Sequence, residues 1–220
     1  MKKLIAMICV VLLILSMTAC QNTQGTKKQY TIGICQIEPH PALDAATKGF
    51  KDAVIAALGA ENVEFIEQNA AGDSNTLNSI ISDFVAKKVD LILANATPVL
   101  QTAATATTVI PILGTSVTEY GVALGLENFN GTVGGNISGT SDLAPLDQQA
   151  AMLQEWFPEA QNIGLLYCAT EANSKYQVEV VKAYLEGKGL TVKEYSFSSS
   201  SDMAAVTEQA AAASDVIYVP

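Results

Sequence analysis

This 220-residue chain contains no arginine: all twelve of its basic residues are lysines. No guanidinium fork can hold a carboxylate or phosphate here, so hydroxyls and backbone N–H groups at helix starts are the good anion donors that remain. Positive charge is scarce altogether, since 22 Asp and Glu residues set the formal net charge at −10. That balance repels phosphate backbones and anionic lipid headgroups, which argues against nucleic acid as a partner and against a basic membrane-binding patch. Histidine occurs once, at His40, and no GxSxG, HExxH or CxxC pattern is present. No motif therefore demands a metal, a cofactor or an activated nucleophile. Only 15% of residues are charged while apolar residues are abundant, so the chain is a globular protein and not a disordered one.

Long apolar runs are also few, and the one that stands out lies at the start. Lys2 and Lys3 precede an uncharged run over residues 4–15, and Thr18 and Ala19 lead to Cys20. The run is short for a bilayer span but suits the middle of an export signal. Small residues followed by cysteine resemble the lipobox of bacterial lipoproteins, with Met17 where Leu is usual. The expectation is a signal peptide over residues 1–19, lipid attachment at Cys20, and a polar tether over 20–28. The remaining thiols are Cys35 and Cys168, each after an apolar strand-like run. They are expected to be buried and free rather than paired.

From residue 29 onward, short apolar runs alternate with longer amphipathic segments. Strands are predicted over 30–36, 62–68, 90–96 and 110–115, with helices over 42–58, 74–87 and 97–107 between them. Residues 119–141 hold six glycines among Asn, Thr and Ser and lack long periodicity. They read as a crossover with a short connecting strand over 133–139. Alternation then resumes with helices over 142–157, 171–187 and 202–212 and strands over 162–168, 190–197 and 215–219. The pattern predicts an α/β protein of two Rossmann-like parallel-sheet lobes, residues 29–138 and 139–220, the second with about three strands and incomplete.

In open α/β sheets ligands bind beyond the carboxyl ends of strands, where loops enter helix N-termini. The polar clusters in such places contain Gln36 and His40, Thr97 and Pro98, Ser116, Ser141 and Asp142, and Glu171, Asn173 and Ser174. Two facing rims of this kind suit a small zwitterion. N-capping alone would account for Thr97, Ser141, Asp142 or Ser174 taken singly. His40 lies four residues before Asp44, so a Cys35–His40–Asp44 hydrolase or isomerase is a second reading, against helix capping by His40. Trp156-Phe157 ends an amphipathic helix, where core packing is the expected role rather than stacking on a sugar.

The segments IGICQIEPHPALDAATKGF, ANATPVLQTA, ILGTSVTE, GGNISGTSDLAP and LLYCATEANSKYQ resemble, in chain order, substrate-binding proteins of ABC transporters of the tryptophan/tyrosine type. The resemblance spans residues 30–220. It implies a periplasmic binding protein type I-like fold and an extracytoplasmic, lipid-anchored monomeric receptor with no enzymatic activity. Such a receptor delivers a solute, often an aromatic amino acid, to a membrane permease, and its lobes close on the solute by hinge motion. Gln36, His40, Thr97, Pro98 and Ser116 would lie on the first rim, Ser141 and Asp142 near the hinge, and Glu171, Asn173 and Ser174 on the second rim. Helix-start N–H groups and hydroxyls at Thr97 and Ser116 would take a carboxylate, and Glu171 or Asp142 an ammonium. Glu119 and Tyr120 stand where relatives often carry Asp, and relatives continue for about a hundred further residues. A sensing module for a signalling receptor, or a sugar or nucleoside receptor, are the alternative readings.

Overall fold

The structure, a computed structural model, describes residues 29–220. The expected signal, the Cys20 lipid site and the tether lie outside the described residues. Two separate parallel sheets organise the rest. The first has the order β2-β1-β3-β4-β5, built from β1 (Tyr30–Gln36), β2 (Val63–Asn69), β3 (Leu91–Asn95), β4 (Ile112–Val117) and β5 (Ile137–Ser141). The second has the order β7-β6-β8, from β6 (Asn162–Cys168), β7 (Thr191–Phe197) and β8 (Val216–Tyr218). Helices α1 (Pro41–Leu58), α2 (Ser74–Lys87), α3 (Thr97–Ala106), α4 (Tyr120–Leu124), α5 (Leu146–Trp156), α6 (Ala172–Gly187) and α7 (Ser200–Ala213) connect the strands.

Strand alternation assigns each side chain to a layer. On β1, Ile32 and Ile34 pack with Val63 and Leu93 against Phe50 and Val54 of α1. Cys35, one position out of phase, faces the opposite core with Ile81 and Phe84 of α2 and Val99 and Leu100 of α3. Gly33 shares that face because a Cβ there would come within 2.7 Å of the buried Phe84 ring. The second sheet repeats the plan: Ile163 and Leu165 meet α5 and α6, while Leu166 and Tyr195 meet Ala210 of α7. Both sheets are thus covered on two faces, as parallel sheets require.

The predicted strands and long helices appear within a few residues of their expected limits. The glycine-rich crossover differs. Its strand is 137–141 rather than 133–139, and it joins the first sheet beside β4, so the expected boundary between residues 138 and 139 falls inside β5. Gly114 and Gly139 face each other across that pair, and a Cβ on either would strike the Tyr120 hydroxyl. The segment also contains α4, which sequence periodicity could not show in five residues. Glu119 caps it, its carboxylate accepting from the N–H of Gly121 at 3.0 Å and of Val122 at 2.6 Å. Helix α4 packs against α6 of the second unit and is tied to α3 by Gln101 Nε2 donating to the Ala123 carbonyl.

Trp156 and Phe157 contradict the core-packing expectation, being 67% and 49% exposed. Helix α5 buries Leu146, Ala150 and Leu153, and the two aromatic residues at its C-terminal end lie outside that buried set. No helix among the described residues is long and apolar enough to cross a membrane.

Candidate functional site

A cleft of about 410 Å³ opens where the strand ends of the two sheets face each other. Its volume falls in the range of small-molecule sites, about 300–1,000 Å³. Ile37, Leu43, Leu77 and Pro98 give the first-sheet side an apolar wall, and Thr170, Glu171 and Asn173 form the opposite rim. Among the described residues no Phe, Tyr or Trp lines it.

The start of α3 is its most constrained part. Ala96, the residue before the helix, has φ 101° and ψ 157°, a conformation otherwise reserved for glycine that costs on the order of 1–3 kcal/mol. Ser116 at the end of β4 is also left-handed, with φ 54°, where the β4–β5 register shifts between Gly114 and Val117. Strain of this kind persists where surrounding structure enforces it, and here both residues line the cleft. Helix α3 has no side-chain cap, and Pro98 has no N–H, so its first turn presents the N–H groups of Thr97 and Val99. The Thr97 side chain is 2% exposed, lines the cleft, and its Oγ1 has no hydrogen-bond partner among the described residues. Buried hydroxyls are almost always paired, so this one is a position for an incoming group.

Across the cleft, Asn173 Oδ1 is likewise buried and unpartnered. Beside it, one Glu171 carboxylate oxygen accepts from Ser174 Oγ at 2.8 Å, which fixes the side chain and leaves the other oxygen uncommitted. The start of α3 therefore offers donors, and Glu171 and Asn173 across the cleft offer acceptors, with Glu38 a further carboxylate on the first-sheet side.

Of the ten residues picked out from sequence, His40, Thr97, Pro98, Ser116, Glu171 and Asn173 line the cleft together. Four do not. Gln36 is buried behind it, donating to Asp44 Oδ1 at 2.7 Å and to the Glu38 carbonyl at 2.8 Å, and accepting from Thr47 Oγ1. Ser174 is 6% exposed and acts on Glu171. Ser141 and Asp142 are exposed at the end of β5, where Ser141 Oγ donates to the Thr118 carbonyl at 2.7 Å. Nor are Thr97, Ser141, Asp142 and Ser174 caps: the residues at the cap positions of α3, α5 and α6 are Ala96, Pro145 and Glu171.

Sequence reasoning missed Asn95 and Thr47. Asn95 Nδ2 donates to the Leu43 carbonyl at 2.8 Å and to Thr47 Oγ1 at 2.9 Å, and Thr47 donates on to Gln36. This buried chain clamps the start of α1, which carries His40 and Leu43 to the cleft. An asparagine inside an apolar strand such as LILAN was the available signal.

The Cys35–His40–Asp44 arrangement does not assemble. Cys35 is fully buried in the first core, and burial pushes its thiol up to about 12. His40 Nδ1 accepts from the Ala42 N–H at 3.2 Å as the cap of α1, and Asp44 is held by Gln36. Cys35 and Cys168 are both free; Cys168 is half-buried, less than expected. Near the crossover, burial and then the Asp142 charge push the Tyr120 hydroxyl up to about 12, and it donates to the Thr140 carbonyl.

Comparison with known proteins agrees with this architecture. Residues 31–220 match the family described as ABC transporter substrate binding protein. The chain belongs to that family. A curated relative, the tyrosine-binding protein of Clostridioides difficile, is 37% identical over 233 aligned positions that cover 100% of this chain and 67% of the relative. A Streptococcus pneumonia ABC domain solved in complex with L-Trp superposes with a TM-score of 0.82 at 33% identity, over 88% of this chain and 65% of that one. A ligand-free, open substrate-binding protein with adhesive properties from Clostridium difficile is 39% identical over 87% of this chain and 65% of its own, with a TM-score of 0.60. The chain thus spans about two thirds of the length of these relatives. They are substrate-binding proteins rather than enzymes, and the two-sheet architecture is the periplasmic binding protein type I fold.

Proposed function

We propose that this protein captures an aromatic amino acid, such as tryptophan or tyrosine, in the cleft between its two sheets and delivers it to the permease of an ABC importer. The observation that carries this reading is the gathering of unpaired donors at the start of α3 opposite the acceptors Glu171 and Asn173. The N–H groups of Thr97 and Val99 with the hydroxyls of Thr97 and Ser116 take the ligand carboxylate, so no arginine is needed. Glu171 and Asn173 take the ammonium. Asp142 lies outside the cleft lining, so Glu171 beside Asn173 supplies the counter-charge, with Glu38 a second carboxylate in the cleft. Ile37, Leu43 and Leu77 receive the side chain, and the missing aromatic platform disfavours sugars. The chain also superposes better on the L-Trp complex than on the open, ligand-free relative, although the latter is more alike in sequence, which supports a cleft arranged as in a bound state.

In this reading the protein works outside the cytoplasm as a monomer, acylated at Cys20 after removal of residues 1–19. Residues 20–28 are the leash, and the chain passes to the second lobe after β5. A thermal-shift panel tests the assignment: tryptophan or tyrosine should raise the melting temperature in a concentration-dependent way, while sugars and nucleosides leave it unmoved. A shift with a sugar or nucleoside, and none with any aromatic amino acid, would remove the assignment.

A further inference from the structure

The polar groups of the cleft are not balanced in charge, and this asymmetry ranks the two ends of a zwitterion. Among the described residues Glu38 and Glu171 are its carboxylates, no lysine lines it, and His40 is the one other titratable group. His40 Nδ1 accepts the Ala42 N–H at 3.2 Å, so that side of the ring is committed to capping α1. The groups suited to a carboxylate are all neutral donors: two N–H groups and the hydroxyls of Thr97 and Ser116. Those suited to an ammonium are two carboxylates and the buried, unpartnered Asn173 Oδ1.

We infer that the ammonium is the obligatory ligand group and the carboxylate a dispensable one, so that the ligand class of this cleft extends to aromatic amines. This rests on the reading of the cleft as an aromatic amino-acid site. When an amine binds, the neutral donors at the start of α3 lose a charged acceptor but accept water in its place, a modest loss for groups at a cleft rim. When a deaminated acid binds, an anion enters a cleft lined by two carboxylates and, among the described residues, by no lysine, and Asn173 Oδ1 and the free Glu171 oxygen have no donor. Like charges at short range in a partly desolvated site disfavour that complex strongly.

The test is calorimetric titration of the purified protein at neutral pH with L-tryptophan, tryptamine and indole-3-propionate, repeated with L-tyrosine, tyramine and 3-(4-hydroxyphenyl)propionate. The amine matching the better-bound amino acid should bind about ten- to a hundredfold more weakly than that parent, the loss of one charge-assisted recognition. The matching acid should bind at least tenfold more weakly than the amine. Undetectable amine binding, or an acid that equals or exceeds the amine, overturns the inference while leaving the amino-acid reading standing. If neither tryptophan nor tyrosine binds, the functional reading falls and takes this inference with it.

Discussion

Replacing Thr47 by valine probes the clamp that holds the start of α1 to the first sheet. The substitution keeps the shape of a buried side chain and removes one hydroxyl. In the native protein that hydroxyl donates to Gln36 Oε1 at 3.1 Å and accepts from Asn95 Nδ2 at 2.9 Å. Without it Gln36 Oε1 loses its one partner among the described residues, and a buried unpaired acceptor costs about 1–3 kcal/mol. Asn95 Nδ2 keeps its bond to the Leu43 carbonyl and loses the other, about 1 kcal/mol. The added methyl group returns about 0.8 kcal/mol. The net expectation is about 2 kcal/mol of lost stability, which corresponds to a melting temperature lower by about 4–8 °C in a protein of this size. Urea titration should show a lower midpoint with an unchanged slope. A loss under about 0.5 kcal/mol would mean that the hydroxyl is replaceable by water and that the chain Asn95–Thr47–Gln36 does not clamp the helix.

Three further outcomes follow from packing and charge. Gly33→Ala drives a methyl group to 2.7 Å from the Phe84 ring and should cost about 1–3 kcal/mol by urea denaturation, since Phe84 has no exposed surface to retreat to. Asp73, which caps α2 through the Thr76 N–H, and Asp215, which accepts the N–H groups of Gln161 and Asn162, are both held below the usual carboxylate range by those backbone bonds. Their contribution is fully present above the unfolded value near 3.9 and is lost as pH falls through the lowered folded values. The acid limb of the stability curve should therefore flatten in Asp73→Asn and Asp215→Asn, which a melting series from pH 7 to pH 2 would check. Cys35, buried and pushed up to about 12, should stay unmodified by iodoacetamide at pH 8 in the folded protein and react once it is unfolded, with peptide mass spectrometry locating the label.

The fold was legible because its signals are long and repeated. Buried strands such as LILAN over 91–95 and helices such as 74–87, with Leu77, Ile80, Ile81 and Phe84 on one face, each carry several residues that agree. Helix α4 was not legible, because five residues give little more than one turn and its cap, Glu119, looks like any loop acid. The site was half legible. Strand-end position brings His40, Thr97, Pro98, Ser116, Glu171 and Asn173 into one cleft, as parallel-sheet topology dictates. Gln36 and Ser174 have suitable chemistry at suitable places, but each turns to a neighbour, Gln36 to Asp44 and Ser174 to Glu171. Which partner a side chain takes depends on tertiary contacts that sequence spacing does not contain. The strain at Ala96 was equally hidden, since alanine gives no warning of a left-handed backbone.

The proposed amino-acid reading rests on the acceptors facing the start of α3, and Glu171 is the charged acceptor among the described residues of the second rim. Calorimetric titration of L-tryptophan and L-tyrosine against the native protein and against Glu171→Gln measures that role. If the cleft works as described, the better-bound amino acid should lose at least tenfold in affinity on the substitution, the value of a charge-assisted bond of about 1.5 kcal/mol or more, while circular dichroism shows both proteins folded. Equal affinity for the two proteins would contradict the account.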